Sequence, residues 1–598
     1  MKKIFYILLP LLAGFIVTGC DDMLDAFPKD RMSPETFFKN EDELHAFAMN
    51  FYSMFPGAAS LYQEDADTYI QMGLTDEQKG TRQIPASGSG WSWGSLRNVN
   101  TLLEYLPNCS DAQAKIKYEA LCRFFRAYFY FDKVKRFGDV PWYDKPVGSA
   151  DKEALNRPRD SREFIMGKMI EDIDFAIANL PATKSAYEVT KWTAMALKSR
   201  FTLFEGTFRK YHTEFDYGQG AHDAAWYLDE CAKVSKEFIE TSGYTIHTAG
   251  GAAKAYGSLF TTQNATDNTD EVILARDYNV NYNVTHNSGN LMSSATMGRP
   301  GMTRKMVCMY LCDDGSRFTD KAGWDTMEFI DETKNRDPRL SQTIRTPGFK
   351  RMGQESTAAP EFKYCQTGYQ PIKYVTTLDK DVYSASDIDL IIFRAAEVFL
   401  NYAEAKAEAG DIQQADLDMS VNKLRDRVGM PHMKTDVTAD PFLTNAEWGG
   451  FQNPVLLADA KKAIILEIRR ERAVELAQEG FRYYDIIRWK EGKVFEKQYY
   501  GMYFKGAGEY DFDSDGNPDL LLYTAASAPA SKAPVQYKIG STDFILSGEA
   551  SGHVNPYKGI KCNWDEAKDY LYPIPVNERS LTGGALTQNP GWDDGLTF

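Results

Sequence analysis

The chain has 598 residues, of which 43% are hydrophobic and 13% aromatic, so it is long and apolar enough to bury a substantial core. Its 84 Asp and Glu residues outnumber its 68 Lys and Arg residues, which gives a formal net charge of −16. This balance argues against a nucleic-acid-binding groove, because phosphate binding depends on clustered Lys and Arg. The length alone would suit about three to five domains.

The N-terminus has the organisation of a cleaved signal peptide. Two lysines precede an apolar run over residues 4–17, which is too short to span a bilayer as a helix. The run ends in Val17-Thr18-Gly19-Cys20, which resembles a bacterial lipobox. We predict that residues 1–19 are removed and that Cys20 carries a lipid anchor. The alternative is an ordinary secretory signal followed by an incidental cysteine.

Acidic residues follow at once, at Asp21, Asp22 and Asp25. An acidic cluster in this position resembles the surface-export signal of lipoproteins from Bacteroidetes. An acidic linker exposed to water is the equal alternative.

Helical periodicity is the main signal in the middle of the chain. Residues 115–136 carry apolar side chains at every third or fourth position and predict a core helix, and a second helix is predicted from the N-cap Ser161 to Asn179. The same rhythm recurs at about 190–210 with 222–241, 390–409 with 412–427, and 458–479 with 481–490. Alternating alanines before Gly410 allow close helix contact and resemble a tetratricopeptide unit. We therefore predict four divergent helix pairs.

Between these pairs the composition changes. Residues 242–300, 311–385 and 495–570 are rich in Gly, Asn, Asp and Thr, with short β-like runs such as EVILA. Loops of this length are usually functional, and their Tyr and Trp content indicates that they are ordered.

Seven cysteines follow Cys20, an odd number. Cys308 and Cys312 have no His or further Cys beside them at zinc-ligand spacing. We interpret them as small buried side chains or as a disulfide bridge.

The stretch DFDSDGNPD at 511–519 has the ligand pattern of an EF-hand-like calcium loop. Its candidate ligands are Asp511, Asp513, Asp515, Asn517 and Asp519, and Gly516 permits the sharp turn. The pattern departs at its twelfth position, where Leu522 replaces the expected glutamate. A bound structural calcium and a hydrated acidic turn are both open.

Five stretches together resemble the SusD/RagB family of outer-membrane nutrient-binding lipoproteins from Bacteroidetes. They are FRAYFYFDKVKRFGDVPWY (125–143), NRDPRL (335–340), the helix pair around 394–427, EIRRERAVELAQEGFRYYDIIRW (467–489) and YLYPIPVNERSLTGGALTQNPGW (570–592). From the lipobox to the last residues, the likeness covers essentially the whole chain. In the fourth stretch, Glu467, Arg470, Glu471, Glu475 and Arg482 stand at spacings that permit ion pairs, which we interpret as scaffold contacts.

The resemblance implies a mainly α-helical fold in which four tetratricopeptide-like helix pairs support a loop-rich ligand-binding face. After the signal peptide at 1–19 we predict a single domain over 20–598. Its helical scaffold covers about 100–241 and 390–490, and its loop-rich inserts cover about 242–385 and 495–570. The resemblance also implies an outer-membrane, surface-exposed lid on a SusC-like TonB-dependent transporter.

Sugar binding requires aromatic faces for the apolar side of a pyranose ring and hydrogen-bonding groups for its hydroxyls. Trp91 and Trp93 stand two residues apart, so an extended loop points both to one side. The resemblance implies that this loop acts together with aromatics of the central insert. The ligand-binding candidates are therefore Trp91, Trp93, Arg97, Asn98, Tyr282 and Trp324. For Trp91, a buried loop anchor is the alternative.

The sequence thus predicts a protein that binds an oligosaccharide or polysaccharide and delivers it to a transporter. We expect no catalysis and no required cofactor, since metalloprotease, phosphate-loop and nucleophile-elbow motifs are missing. Three alternatives are open: the same fold binding a peptide or another nutrient, a lipid-anchored glycoside hydrolase, which needs only two carboxylates, and a structural partner without a ligand.

Overall fold

The computed structural model describes residues 37–62, 64–148 and 150–598. The signal peptide at 1–19, Cys20 and the acidic cluster after it lie outside the described residues, and their roles stay predictions. Within the described part of the chain, no helix is both long enough and apolar enough to cross a membrane.

Helices dominate the structure. The longer ones are α1 (Glu41–Ala48), α2 (Gly94–Tyr105), α3 (Ala112–Phe137), α4 (Arg162–Asn179), α5 (Lys191–Tyr211), α6 (Ala224–Thr241), α7 (Ala395–Glu408), α8 (Val421–Val428), α9 (Lys462–Glu475) and α10 (Arg482–Arg488). Shorter helices occupy Ala58–Tyr62, Asp76–Lys79, Lys152–Leu155, Ala255–Ser258, Ser288–Ser293, Arg304–Met309, Phe329–Glu332, Pro338–Ser341, Gln414–Met419, Pro454–Ala458 and Val576–Leu581. Turns of 3-10 helix occupy Met49–Met54, Leu106–Asn108, Ala265–Asn268, Val280–Tyr282, Phe318–Asp320, Trp324–Thr326, Leu378–Asp381, Pro441–Thr444, Ala446–Trp448 and Gly492–Glu496.

The strands are short and form small separate sheets. They are β1 (Tyr69–Ile70), β2 (Val272–Arg276), β3 (Gly301–Met302), β4 (Leu390–Arg394), β5 (Tyr503–Phe504), β6 (Gly508–Tyr510), β7 (Leu520–Tyr523), β8 (Val535–Lys538) and β9 (Gly552–His553). The antiparallel pairs are β1 with β3, β2 with β4, β5 with β9 and β6 with β7, and β8 adds to β7 in parallel. Strand β2 coincides with the predicted EVILA run.

Local capping chemistry fixes the first helix pair where the sequence predicts it. Ser161 accepts a hydrogen bond from the Phe164 amide at the start of α4, as expected for an N-cap. Asp111 caps α3 in the same way through the amides of residues 113 and 114. The two helices pack against each other, and Phe124 and Phe125 of α3 are fully buried.

The third helix pair differs from its prediction in both of its helices. Residues 390–394 form strand β4 instead of the first turn of a helix, because this β-branched run pairs with β2. The return helix is interrupted at Ser420, whose backbone leaves the helical region between Gln414–Met419 and α8. Gly410 has φ of +83°, so it makes the predicted left-handed turn after α7.

The loop-rich inserts have their own buried aromatics. Phe362, Phe504, Phe512 and Phe544 form a continuous set of ring contacts at 5.3–6.3 Å between centroids. They belong to the same buried apolar cluster as the helices. The inserts are therefore packed onto the scaffold, as their aromatic content indicated.

All seven cysteines in the described residues are free thiols. Cys308 and Cys312 are both buried and unbridged, so the first of the two interpretations, small buried side chains, is the one that the structure shows.

Candidate functional site

The loop before α2 uses Trp91 as an anchor. Its side chain is only 5% exposed, and its indole meets Trp93 and Phe137 edge-on at 5.4 and 4.9 Å. Because so little of the side chain is exposed, Trp91 offers no free ring to a sugar. The structure thus favours the loop-anchor alternative for this residue over ligand contact.

Trp93 is partly exposed and stands at the N-cap position of α2, where its side chain makes no capping hydrogen bond. Its ring also contacts Phe129 at 5.6 Å and Tyr143 at 5.4 Å, so it has a packing role as well as an exposed edge. Arg97 and Asn98 lie on the first turns of α2 with exposed side chains. These three residues lie close together in the chain, as the sequence requires.

Beside this loop lies a cleft of about 600 Å³, within the range typical of small-molecule sites. We call it the α3–α5 cleft, because its walls come from the Trp-bearing loop, α3, α5 and the turn between α9 and α10. Its lining includes Gly90, Ser92, Phe129, Lys133, Arg136, Arg200, Phe204, Phe481 and Tyr484. Trp91 and Trp93 flank the cleft without being part of its lining.

Trp324 belongs to a different aromatic group. Its ring contacts Trp448 at 5.2 Å, and Trp448 in turn contacts Tyr500 at 5.6 Å and His553 at 5.5 Å. Tyr503 completes the group through His553 at 5.4 Å. Each of the five rings is partly exposed. We call this group the Trp448 surface; it consists of Trp324, Trp448, Tyr500, Tyr503 and His553.

The chemistry of the Trp448 surface suits a neutral ligand. Burial and the nearby Arg304 guanidinium lower the pKa of His553 to about 4, so its imidazole is an uncharged ring at neutral pH. Its Nε2 atom is buried without a hydrogen-bond partner among the described residues. Lys497 and Gln498 share a small pocket with Trp448 and Tyr500 and supply polar groups at the rim.

The candidates from the sequence therefore lie in separate surroundings. The ring contacts of Trp93 and those of Trp324 have no residue in common. Tyr282 is 78% exposed on a single 3-10 turn, beside the exposed Val280 and Val284. Sequence reasoning missed Trp448, Tyr500 and His553 because they come from three distant stretches, each marked only by aromatics in a loop.

The acidic stretch forms the connection between β6 and β7. Carboxylate oxygens of Asp511, Asp513 and Asp519 lie within 4.8 Å of one another, a grouping that fits a metal ion. Burial, with the charges of the neighbouring aspartates, raises the pKa of Asp519 to about 6. Asp515 instead accepts a 2.7 Å hydrogen bond from the Asn517 amide, and Leu522 is buried in β7.

The charges of α9 and α10 that the sequence singles out are structural. Glu475 is fully buried and pairs with Arg339, Arg394 and Arg427, which come from three other elements. These guanidiniums outweigh the effect of burial, which raises the pKa of Glu475, and hold it well below its usual range. Arg482 pairs with Asp67 instead of a helix neighbour. The interpretation of these charges as scaffold contacts is confirmed, although most of their ion-pair partners lie outside α9 and α10.

Comparisons with known proteins agree with this architecture. The SusD family model matches residues 257–592, and a second model, described as starch-binding and associating with the outer membrane, matches residues 91–203. The SusD-like proteins P38 and P25 of Formosa agariphila are each 21% identical to this chain. Their alignments cover 81% of this chain and 91% and 90% of the two relatives.

Solved structures show the same fold. A SusD-like protein and a SusD-like carbohydrate-binding protein, both from Bacteroides fragilis, align with TM-scores of 0.66 and 0.67 at 20% identity. They cover 93% and 91% of this chain and 98% and 99% of their own chains. A laminarin-binding SusD-like protein aligns with a TM-score of 0.53 at 17% identity, over 93% of this chain and all of its own. The SusD family model, at residues 257–592, matches more than half of the chain, and this protein therefore belongs to the SusD family.

Proposed function

We propose that this protein binds an oligosaccharide or polysaccharide without catalysis and delivers it to a SusC-like TonB-dependent transporter of the outer membrane. The observation that carries the proposal is the Trp448 surface, where several partly exposed rings adjoin polar side chains. Aromatic faces of this kind cover the apolar side of a sugar ring while polar neighbours bind its hydroxyls. The carbohydrate-binding and laminarin-binding relatives support the same ligand class.

The test is retention of the protein in native gels that contain candidate polysaccharides. We expect Trp324→Ala combined with Trp448→Ala to abolish retention on the polysaccharide that retards the natural protein. Each stacking contact contributes about 0.5–1.5 kcal/mol, so loss of two moves a weak ligand beyond detection. Because the two rings also pack on Phe442, Tyr500 and His553, the double substitution should lower the melting temperature, so retention is measured well below the melting temperature of both proteins.

Two further variants make this test specific. Tyr383→Ala removes an aromatic that is 66% exposed outside the Trp448 surface, and it should leave retention unchanged. Trp93→Ala tests the loop before α2; since Trp93 packs on Phe129 and Tyr143, we expect it to lower the melting temperature as well. Retention that survives the Trp324 and Trp448 double substitution would refute this site assignment.

The lipid anchor and the transporter partner complete the proposal. Acylation at Cys20 would hold the protein on the outer membrane, where the second matching family description places its members. Pull-down of the mature protein from solubilised outer membranes should recover a TonB-dependent transporter, and Cys20→Ala should leave the protein unacylated and released from the membrane fraction. Recovery of acylated protein after Cys20→Ala would contradict the anchor.

We also propose that the β6–β7 connection binds calcium as a structural ion. Asp511, Asp513 and Asp519 would supply its carboxylate ligands, and hard oxygen donors of this kind favour calcium over zinc. The ion would offset the repulsion among three close carboxylates and rigidify the connection.

A further inference from the structure

On the basis of the glycan-binding function proposed above, we propose that Arg304 and Lys305 are positioning residues for the Trp448 surface. They are consecutive residues of the short helix Arg304–Met309 and lie beneath the rings, Arg304 fully buried and Lys305 9% exposed. Between them, they donate hydrogen bonds to three stretches of the chain that carry these rings. Loss of these bonds should weaken ligand binding by displacing the rings, although every side chain of the surface is kept.

Arg304 holds the stretch that carries Trp324. Its Nη2 atom donates to the Trp324 carbonyl oxygen at 2.5 Å, and its Nη1 atom donates to the Met327 carbonyl oxygen at 3.3 Å. The buried carboxylate of Glu332, 2.5 Å from Nη1, compensates the charge of the guanidinium. The backbone amide of Arg304 also donates to the Tyr500 carbonyl oxygen at 2.6 Å. One residue thus fixes the backbone at two rings of the surface that come from distant parts of the chain.

Lys305 holds the stretch that carries Trp448. Its Nζ atom donates to the carbonyl oxygen of Gly449, the residue directly after Trp448. Gly449 has φ of +70°, and a Cβ atom there would lie 3.2 Å from Nζ, so glycine suits both the turn and the close approach. Lys305 also donates to the Asp67 carboxylate, which Arg482 binds at 2.8 Å. The ammonium is therefore charge-compensated, and its bond to Gly449 is a charge-assisted hydrogen bond.

The two cations fix the ring-bearing turns relative to each other. The turns that carry Trp324 and Trp448 are each closed by local backbone hydrogen bonds, such as that from the Gly450 amide to the Asn445 carbonyl oxygen at 2.7 Å. Local bonds shape a turn but do not fix it to another turn, whereas two donors on one helix do. Rings that are held in place before binding lose less conformational freedom when a ligand binds, so loss of these bonds weakens affinity.

The chain offers a matched control in Lys373. Its Nζ atom is also buried, donates to the Ala477 carbonyl oxygen at 2.7 Å and pairs with Glu479 at 2.9 Å. Lys373→Met and Lys305→Met therefore remove the same groups, a buried ammonium bound to one carbonyl oxygen and one carboxylate. The Lys373 ammonium lies near the ring of Tyr256, outside the Trp448 surface. Both variants should lower the melting temperature, and only Lys305→Met should disturb the rings of the surface.

Fluorine NMR of the mature chain labelled with 5-fluorotryptophan tests the positioning without a ligand. A Trp448→Phe variant assigns the Trp448 resonance. We expect Lys305→Met to shift or broaden this resonance and Lys373→Met to leave it in place. Arg304→Lys keeps the charge but loses the planar fork that reaches two carbonyl oxygens, so it should shift the Trp324 resonance, assigned in the same way. A Trp448 resonance that is identical in Lys305→Met and in the natural protein would overturn the proposal, as would a Trp324 resonance unchanged in Arg304→Lys.

Affinity for a polysaccharide gives the second result. The probes are laminarin and starch, and the dissociation constant is obtained from retardation in native gels over a series of polysaccharide concentrations. We expect Lys305→Met to raise the dissociation constant about tenfold and Lys373→Met to leave it within about twofold of the natural value. Once Trp448→Ala is present, Lys305→Met should add no further loss, because it acts through that ring.

The outcomes separate the positioning from the proposed function. Equal losses of affinity in Lys305→Met and Lys373→Met would overturn the proposal, since the effect would then follow from lowered stability alone. If the natural protein is retarded by no polysaccharide, the proposed function is contradicted, and the fluorine spectra still decide whether Arg304 and Lys305 position the rings.

Discussion

Whether a Trp ring of this protein is free to contact a ligand depends on its burial more than on its residue type. Trp91 is buried, whereas Trp448 is partly exposed and contacts the partly exposed rings of Trp324 and Tyr500. The Trp91 ring packs against Trp93 and Phe137. The residue type identifies a Trp as able to stack on a sugar, but its neighbours in space decide whether a face is free.

The pKa of Asp519 makes calcium binding pH-dependent. Because this pKa is raised to about 6, a proton competes with calcium for the carboxylate below that pH. We expect isothermal titration calorimetry to show affinity falling steadily as the pH is lowered from 7 to 5. Asp513→Asn should weaken binding about tenfold or more at pH 7, and Asp229→Asn, an exposed carboxylate of α6 outside the grouping, should not. Equal calcium uptake at pH 5 and pH 7 would contradict a role for Asp519.

At the scale of elements, buried charges connect the helices to the inserts. Glu475 of α9 binds Arg394 at the end of β4, Arg427 of α8 and Arg339 in a short helix of the central insert. Arg394 also pairs with Glu271, next to β2. One carboxylate therefore joins four parts of the chain.

Removal of that carboxylate should be strongly destabilising. Glu475→Ala leaves three buried guanidiniums without their shared partner, and we expect a loss of about 3–5 kcal/mol in the free energy of unfolding. Asp331→Ala breaks an exposed pair with Lys334 and should cost no more than about 1 kcal/mol. Urea denaturation measures both. A loss for Glu475→Ala as small as that for Asp331→Ala would mean that the network contributes little.

Local signals explain which elements were predictable from sequence. The cap at Ser161, the turn at Gly410 and the apolar face of α3 depend on residues within one helix or turn, and the structure confirms each of them. The strand at 390–394 was predicted as helix because its partner β2 lies more than a hundred residues away. The Trp448 surface was missed for the same reason, since its rings are adjacent only after folding.

At the scale of the whole molecule, buried carboxyls hold distant segments to the scaffold. Glu64 accepts 2.7 Å hydrogen bonds from the amides of Gln478 and Arg482, and Glu491 accepts from those of Gln452 and Asn453. Burial raises the pKa of each of the two glutamates to about 7. Both carboxyls therefore bind protons more tightly in the folded chain than in the unfolded chain.

This difference predicts a pH dependence of stability. Between about pH 4.5 and 7 the folded protein holds protons that the unfolded chain has lost, so these two groups lower the free energy of unfolding as the pH rises, by up to about 1.4 kcal/mol per pH unit each. The variant with Glu64→Gln and Glu491→Gln lacks this contribution. Its stability relative to the natural protein should rise with pH across that window and level off above pH 7. The free energy of unfolding of both proteins is measured by urea denaturation at pH 5, 6, 7 and 8. A difference between the two proteins that is the same at all four pH values would refute the assignment.

Alkylation of the free thiols reports local unfolding of the folded chain. Six of the seven described cysteines are buried and Cys562 is partly exposed. Burial raises the pKa of Cys231 to about 12 and that of Cys308 to about 11, which suppresses their reactive thiolates. An alkylating reagent should therefore modify Cys562 first and each buried thiol only when its surroundings separate. Because Cys231 lies in α6 and Cys308 in the central insert, the order of alkylation reads out which region opens first, without any engineered label.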